Sequence, residues 1–143
     1  MFLQVRRAIS LFALCVLTLP LLAACGGGAA PSAVNVGLRT FGLTASSQTA
    51  RAGDVTFHIK NEATDITHEF VVLQTELTSD KLPVDGNGDV VEDQLTVVDE
   101  IEDIEVGKGG DLKVNLAAGH YVLLCNVEGH YKAGMRADLT VVP

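Results

Sequence analysis

The sequence is short of cysteines, of basic residues and of helical patterns, and each shortage excludes a class of protein. Only three cysteines occur among 143 residues, and two of them, Cys15 and Cys25, precede the domain predicted below, so a disulfide within that domain is excluded. Ten basic residues stand against eighteen acidic ones, and the net charge of −8 argues against a nucleic-acid partner. No long helical period and no internal repeat is visible, which favours one small domain built of strands.

The one long apolar run lies at the N-terminus, where residues 1–24 have the three parts of a secretory signal peptide. Arg6 and Arg7 supply the positive charge, residues 8–22 are mostly apolar, and small residues follow. The run is short for a membrane span and has Pro20 near its end, so a cleaved signal is favoured over a permanent transmembrane helix. Cleavage would remove both arginines and take the net charge from −8 to −10.

The end of this signal, Leu22-Ala23-Ala24-Cys25, resembles the lipobox of bacterial lipoproteins. The resemblance implies that Cys25 carries a lipid and becomes the mature N-terminus, whereas an ordinary signal would leave a free cysteine. The Gly-rich residues 25–33 would then be a flexible, lipid-anchored tether, and residues 34–143 the folded domain. We therefore expect an exported protein of the bacterial cell envelope, in the periplasm or its equivalent, anchored to a membrane on its extracytoplasmic face.

Cys125 is left as the single cysteine of an exported domain, because Cys15 leaves with the signal peptide and Cys25 takes the lipid. Exported cysteines normally pair as disulfides. An unpaired cysteine in such a domain either is prone to unwanted oxidation or serves a function, and a bound metal would also protect it from oxidation.

Short segments of strand-like alternation fill most of the domain. Apolar residues alternate with polar ones in several of them, while one segment is apolar on both faces, as a central strand of a sandwich can be. Turn signals such as Ala117-Ala118-Gly119 separate them. The pattern predicts an all-β, antiparallel sandwich. The segments are 34–38, 55–59, 70–73 (the doubly apolar one), 112–116, 121–125 and 137–142.

Residues 75–110 are the least regular part, and they are strongly acidic. Pro83 and the stretch 85–89 break regular structure, and the apolar residues between 97 and 106 fit either short edge strands or a helical turn. Residues 76–105 hold eleven acidic residues and one basic residue, Lys81. We interpret the stretch as a solvated insertion, and the alternative is a surface that steers a cationic redox partner.

The stretch Asp85-Gly86-Asn87-Gly88-Asp89 begins like a calcium-binding loop. An EF-hand needs glycine at its sixth position and glutamate at its twelfth, where this chain has Val90 and Thr96. A solvated turn is therefore the better interpretation.

Soft metal donors cluster near the C-terminus. Cys125, His130 and Met135 follow one another at intervals of five, and a glycine stands directly before each of the last two, so the backbone can fold tightly around a small ion. His68, at the start of an apolar strand far upstream, can supply a fourth donor and fasten the loop to the sandwich. Two histidines, one cysteine and one methionine form the donor set of blue-copper electron-transfer sites.

The same residues resemble the cupredoxins, the small blue copper proteins. Resemblance implies a Greek-key β-sandwich holding one mononuclear type 1 copper ion, with His68, Cys125 and His130 as ligands and Met135 as the weak axial ligand. It also implies one-electron transfer between Cu(I) and Cu(II), with the second ligand histidine, His130, as the electron port beside Tyr131, Ala133 and Gly134. The matching stretches are 53–57 with Asn61, 68–72, 119–125, 129–131 and 133–135.

Two positions depart from the pattern of that family. Many cupredoxins carry asparagine directly after the first histidine ligand, where it hydrogen-bonds the cysteine loop, and this chain has Glu69. Relatives often have proline before the Gly-His pair, and this chain has Glu128. Because hydrogen bonds around the ligands tune a metal site, these carboxylates affect its predicted rigidity and potential.

An enzyme is not expected, because a second copper centre would need further histidines. Only His58 and His120 remain, both predicted to be surface residues, and no nucleophile-base-acid set is evident. We expect a monomeric one-electron carrier, and the alternative is a module for copper delivery or storage. The acidic surface suits a basic redox partner such as a cytochrome c or a membrane oxidase or reductase complex.

Overall fold

The computed structural model describes residues 32–143, so the predicted signal peptide, Cys25 and most of the tether lie outside the described residues. Within that range, no helix is long and apolar enough to cross a membrane. The elements are β1 (Ala33–Arg39), β2 (Gly42–Ala45), β3 (Thr49–Arg51), β4 (Gly53–Asn61), β5 (His68–Gln74), a 3-10 turn (Glu92–Gln94), β6 (Thr96–Ile104), β7 (Gly109–Leu116), β8 (Gly119–Leu124), α1 (His130–Ala133) and β9 (Arg136–Val142).

The strands form two sheets, with the orders β2-β1-β4-β7 and β3-β9-β8-β5-β6. The chain passes repeatedly from one sheet to the other, so strands distant in sequence become neighbours, as in a Greek key. The predicted all-β Greek-key sandwich is confirmed. It is not purely antiparallel, however, because β1 runs parallel to β4 and β3 runs parallel to β9. These neighbours are joined by long connections and not by hairpins, so nothing forces them to be antiparallel.

The main core lies between the two sheets and is built from the predicted alternation. On β4, Val55, Phe57 and Ile59 are buried while the residues between them face outward. The Phe57 ring packs on Phe70 of the facing sheet with ring centroids 5.4 Å apart. The alternation of apolar and polar residues along the sequence therefore determines which face of the first sheet is buried.

The second sheet is buried on both faces, because residues 75–95 fold over its outer side. On β5, Phe70 and Val72 join the main core, while Val71 and Leu73 join a second cluster with Leu82 and other residues. The interpretation of 75–110 as a solvated insertion is wrong for this part, since its apolar side chains cover the sheet. The remaining members of the second cluster are Val90, Val122, Leu124 and Tyr131.

The undecided apolar residues from Val97 to Ile104 lie in the nine-residue edge strand β6, which pairs with β5, while Val106 lies in the turn that follows. The register shifts beside the site: His68 faces Ile104, and Phe70 faces Ile101, so β6 carries one extra residue there. Asp103 within this bulge has a φ of 52°. Bulges re-aim strand ends, and this one lies directly opposite His68.

His120 was predicted to be a surface residue, and the structure places it differently. It lies in β8 and is only partly exposed, with its Nδ1 2.7 Å from the Thr75 carbonyl oxygen and its Nε2 3.0 Å from Asp138 Oδ1. Asp138 also accepts hydrogen bonds from the Ser79 backbone N–H (2.8 Å) and hydroxyl (2.7 Å). The pair thereby fastens the start of the 75–95 segment to the second sheet.

We expect Asp138→Asn to destabilise the protein at neutral pH by about 0.5–1 kcal/mol, a small value because the side chain is 45% exposed. Burial raises the pKa of the Asp138 carboxyl, but hydrogen bonds from Ser79 and then His120 outweigh it, so the net pKa is lowered. A lowered carboxyl pKa stabilises the fold above the unfolded value of about 3.9, and that stability is lost as the pH falls through the folded value. Urea unfolding from pH 7 to pH 3 should show the difference from wild type shrinking, and a constant difference would contradict the assignment.

Candidate metal centre

Three of the four predicted metal ligands meet in one buried cluster. Cys125 Sγ lies 3.7 Å from His68 Nδ1 and 3.4 Å from His130 Nδ1, and the two Nδ1 atoms are 3.3 Å apart. The side chains are at most 2% exposed. Among residues 32–143, this is the one group of three or more His, Cys, Asp and Glu side chains with its donor atoms so close together.

The triangle fits a transition-metal ion. The point equidistant from the three donor atoms lies about 2.0 Å from each of them, against typical metal bonds of ~2.0 Å to imidazole nitrogen and ~2.3 Å to thiolate sulfur. Two imidazoles and one thiolate in a trigonal arrangement form the donor set of type 1 copper. His68, Cys125 and His130 are thus arranged as a copper-binding site.

The protonation of the two imidazoles also suits a metal. The pKa of His68 is lowered, first by burial and then by His130, and burial likewise lowers the pKa of His130. Both rings are therefore neutral near pH 7, which is the form that binds metal. His68 Nδ1 is the nitrogen that faces Cys125 and His130, while Nε2 is buried and has no hydrogen-bond partner in the described residues.

The Cys125 thiol is fully buried. Burial raises its pKa, while backbone N–H groups of Glu69 and Val127 act in the opposite direction. The Glu69 N–H lies 3.5 Å from Sγ, so it would stabilise a thiolate once a metal had displaced the proton.

Strand ends and a short helix bring these side chains together. His68 opens β5, Cys125 follows β8 directly, and His130 opens α1. The connection before His68 is held by the fully buried Asn61: Nδ2 donates to the carbonyls of Ile66 (2.9 Å) and Ile104 (2.8 Å). Asn61 therefore positions the first ligand from the opposite sheet.

Met135 is buried in the main core beside Cys125. Its carbonyl accepts the Cys125 N–H at 3.0 Å, and its N–H donates to the His130 carbonyl at 3.1 Å. Gly134, with a φ of 112°, makes the tight turn before it. The backbone thus carries Met135 back to the site, and its role as axial ligand stays a prediction.

Comparisons with known proteins agree with this geometry. Residues 48–143 match the sulfocyanin (SoxE) domain. The chain belongs to the sulfocyanin (SoxE) domain family. Among solved structures, it resembles a reduced auracyanin from Roseiflexus castenholzii (TM-score 0.62, 20% identity, covering 80% of this chain and 99% of that one). It also resembles auracyanin A from Chloroflexus aurantiacus, titled a "blue" copper protein (0.57, 19%, 78% and 99%), and rusticyanin from Thiobacillus ferrooxidans (0.54, 19%, 77% and 76%). A search of curated protein sequences finds no match.

These matches confirm the predicted cupredoxin fold. The two residues that depart from the family pattern, Glu69 and Glu128, can now be located in the structure. Burial raises the pKa of Glu69 to about 7; the Asn126 backbone N–H lowers it, and nearby carboxylates such as Glu92 raise it. The carboxylate therefore lies against the cysteine loop, at a partly buried position. Glu128 is exposed and directs no carboxylate into the core.

In this sulfocyanin-domain chain, the surroundings of His130 differ from those expected of the electron port. His130 is only 2% exposed, and Tyr131 points into the second cluster instead of flanking His130 at the surface. What covers His130 is Phe41, in the turn between β1 and β2, whose ring meets the imidazole edge-on with centroids 5.7 Å apart. Phe41 is 56% exposed and has a φ of 60°, a left-handed conformation that is unusual for a bulky residue.

Sequence reasoning missed Phe41, although a signal was present. A two-residue turn between strands normally takes glycine or asparagine where φ is positive, and this turn holds Thr40 and Phe41. A large aromatic residue in such a turn is a local conflict, and such conflicts concentrate at functional sites.

Proposed function

We propose that this protein is a one-electron carrier with a single type 1 copper ion, held by His68, Cys125 and His130 with Met135 as axial ligand. The observation that carries the proposal is the buried triangle of donor atoms at metal-bonding distances. Copper supplies the redox couple when bound. The chain's own residues hold the donors in one geometry and exclude water, so that little has to move when an electron arrives.

Burial favours this function over copper delivery. A protein that hands over metal needs a site from which the ion can leave, whereas the three donors here are at most 2% exposed. An enzyme is also disfavoured, because the two other histidines serve elsewhere: His58 lies 2.7 Å from Asp111 at the surface, and His120 lies against Asp138.

The experiment is to add Cu(II) to the purified protein, record its visible spectrum, and then reduce it in the presence of a Cu(I) chelator. A carrier develops an intense thiolate-to-copper band, loses it on reduction, and regains it on reoxidation because copper is retained. Rapid transfer of Cu(I) to the chelator would instead indicate delivery, and the absence of the band would refute the carrier.

We also propose a location and a partner. Lipidated Cys25 would hold the carrier at the extracytoplasmic face of a bacterial membrane, and the tether would raise its effective concentration near membrane partners. The net charge of −8, with eleven acidic residues between 76 and 105, supports a cationic redox protein as partner. Mass spectrometry of the N-terminal peptide tests whether Cys25 carries a lipid. If the partner is recognised by its charge, the rate of electron exchange with cytochrome c should fall as the salt concentration rises.

The electron would pass between His130 and the partner at Phe41. The imidazole is buried, while the Phe41 ring contacts it on one side and is half exposed on the other. The strained backbone at Phe41 costs about 1–2 kcal/mol, which is unfavourable for folding alone.

We expect Phe41→Gly to slow electron exchange with cytochrome c about tenfold, the effect of losing roughly 1.4 kcal/mol of contact, without lowering the melting temperature. Glycine adopts a positive φ freely, so it relieves the strain while removing the aromatic contact. Stopped-flow kinetics and thermal unfolding measure the two effects. Exchange at the wild-type rate would show that the partner does not bind at Phe41.

A further inference from the structure

The outer side of the ligand loop, residues 125–135, is fastened to the acidic segment 79–92. The strongest link is the side chain of Asn126, directly after the ligand Cys125. Its Oδ1 accepts the Val90 N–H at 2.7 Å, and its Nδ2 donates to the Val90 carbonyl at 3.0 Å and to Glu92 Oε1 at 2.7 Å. Both amide hydrogens and one lone pair are thus used.

Val90 is presented to Asn126 by a small bridge within the acidic segment. Val84 and Val90 pair as an antiparallel bridge, whose hydrogen bonds run from Asp85 to the Asp89 carbonyl and from Val91 to the Pro83 carbonyl. The N–H and C=O of Val90 itself are therefore available for Asn126. The Asn126 side-chain amide therefore pairs with the Val90 backbone in the way that a neighbouring strand would.

A second link reaches the other ligand of the loop. Asp89 Oδ1 accepts the N–H of Gly129 at 2.7 Å, and Gly129 directly precedes His130 with a φ of 76°. Asp89 is itself held by the preceding turn, in which Asp85 Oδ1 accepts the N–H groups of Asn87 (2.9 Å), Gly88 (3.0 Å) and Asp89 (3.1 Å). These bonds explain why the stretch that begins like a calcium loop serves as a rigid turn.

The Tyr131 hydroxyl makes a third link. It donates to the Ser79 carbonyl at 2.7 Å and accepts the Leu82 N–H at 3.3 Å, while the ring is buried in the second cluster. Segment 79–92 therefore holds the ligand loop at positions 126, 129 and 131, each next to a ligand.

From these contacts we propose that Asn126, Val90, Glu92 and Asp89 form an outer clamp that positions Cys125 and His130 for copper. The proposal rests on the proposed copper function. It assigns a positioning task to a segment that sequence patterns indicated was only solvated or electrostatic. In this chain the clamp would supply the rigidity that an asparagine in place of Glu69 would otherwise provide.

The test compares Asn126→Ala with two controls. Asn115→Ala removes an exposed asparagine that bonds only Asp54 across the first sheet. Val55→Ala truncates a core residue on β4, six positions and about 20 Å along the strand from Asn61. It serves as a variant that is destabilised without touching the loop.

We expect Asn126→Ala to release copper to a chelator at least tenfold faster than wild type and to change the reduction potential, since such outer contacts are typically worth 10–100-fold in metal affinity. Asn115→Ala and Val55→Ala should match wild type in both measurements. Asn126→Asp keeps the acceptor for the Val90 N–H but turns an oxygen toward the Val90 carbonyl and the Glu92 carboxylate, so it should release copper at least as fast as Asn126→Ala.

Amide hydrogen exchange of the copper-free protein separates this inference from the copper function. Faster exchange at the Gly129 and Val90 N–H groups in Asn126→Ala, but not in Val55→Ala, supports the clamp even if wild type fails to bind copper. Exchange, copper release and potential equal to those of the Val55 variant would overturn the clamp while leaving the copper function intact.

Discussion

Replacing Cys125 with serine is expected to abolish the intense visible band of the copper-loaded protein completely. That band arises from charge transfer between a thiolate and Cu(II), and Cys125 is the one cysteine that the described residues contain. A serine hydroxyl stays protonated in a buried site and is a hard donor, so it cannot replace a soft thiolate. The measurement is a visible and electron-paramagnetic-resonance spectrum of each protein after addition of Cu(II).

Cys25→Ser is the matched control, because it removes the other cysteine predicted to remain after export. Its spectrum should equal that of wild type, whereas its membrane attachment should be lost if Cys25 carries the lipid. A visible band that survived in Cys125→Ser would assign the copper to other donors and would refute the site. Retained circular dichroism in both variants would exclude unfolding as the cause.

The sequence predicts the metal and the types of its ligands, but it does not predict the contacts around those ligands. Donor types, the glycines before two donors and the strand-end position of Cys125 are all local features, and they pointed to copper. The contact between His68 and Cys125 joins residues 57 positions apart, and the resemblance supplied that pairing. The distances themselves depend on how two sheets pack, which no local pattern encodes.

Local rules failed where polar residues serve long-range contacts. The 79–92 segment has the acidic composition of a solvated loop. Its composition did not predict that the carboxylates of Asp85 and Asp89 accept hydrogen bonds from backbone N–H groups. His120 seemed a surface residue because a turn signal precedes it, while its partners, Thr75 and Asp138, are distant in sequence.

Asn61 illustrates how one side chain can join fold and function, and its replacement should have the largest effect on stability. Asn61→Ala removes the donors for the Ile66 and Ile104 carbonyls and the acceptor for the Ala63 N–H (2.9 Å). Each unsatisfied buried group costs about 1–3 kcal/mol, so a loss of about 3–5 kcal/mol is expected from a fold typically stable by 5–15 kcal/mol. Urea unfolding of the copper-free protein measures it.

Asn61→Asp is the sharper variant, because it keeps the shape and the acceptor for Ala63 but turns an oxygen toward two carbonyl oxygens. We expect it to be at least as unstable as the alanine variant, whereas the exposed Asn115→Ala should stay within about 0.5 kcal/mol of wild type. Ile104 pairs with His68 across the bulge, so both Asn61 variants should also lose copper faster. An Asn61→Asp protein as stable as wild type would show that shape alone, and not the donated hydrogen bonds, holds the first ligand in place.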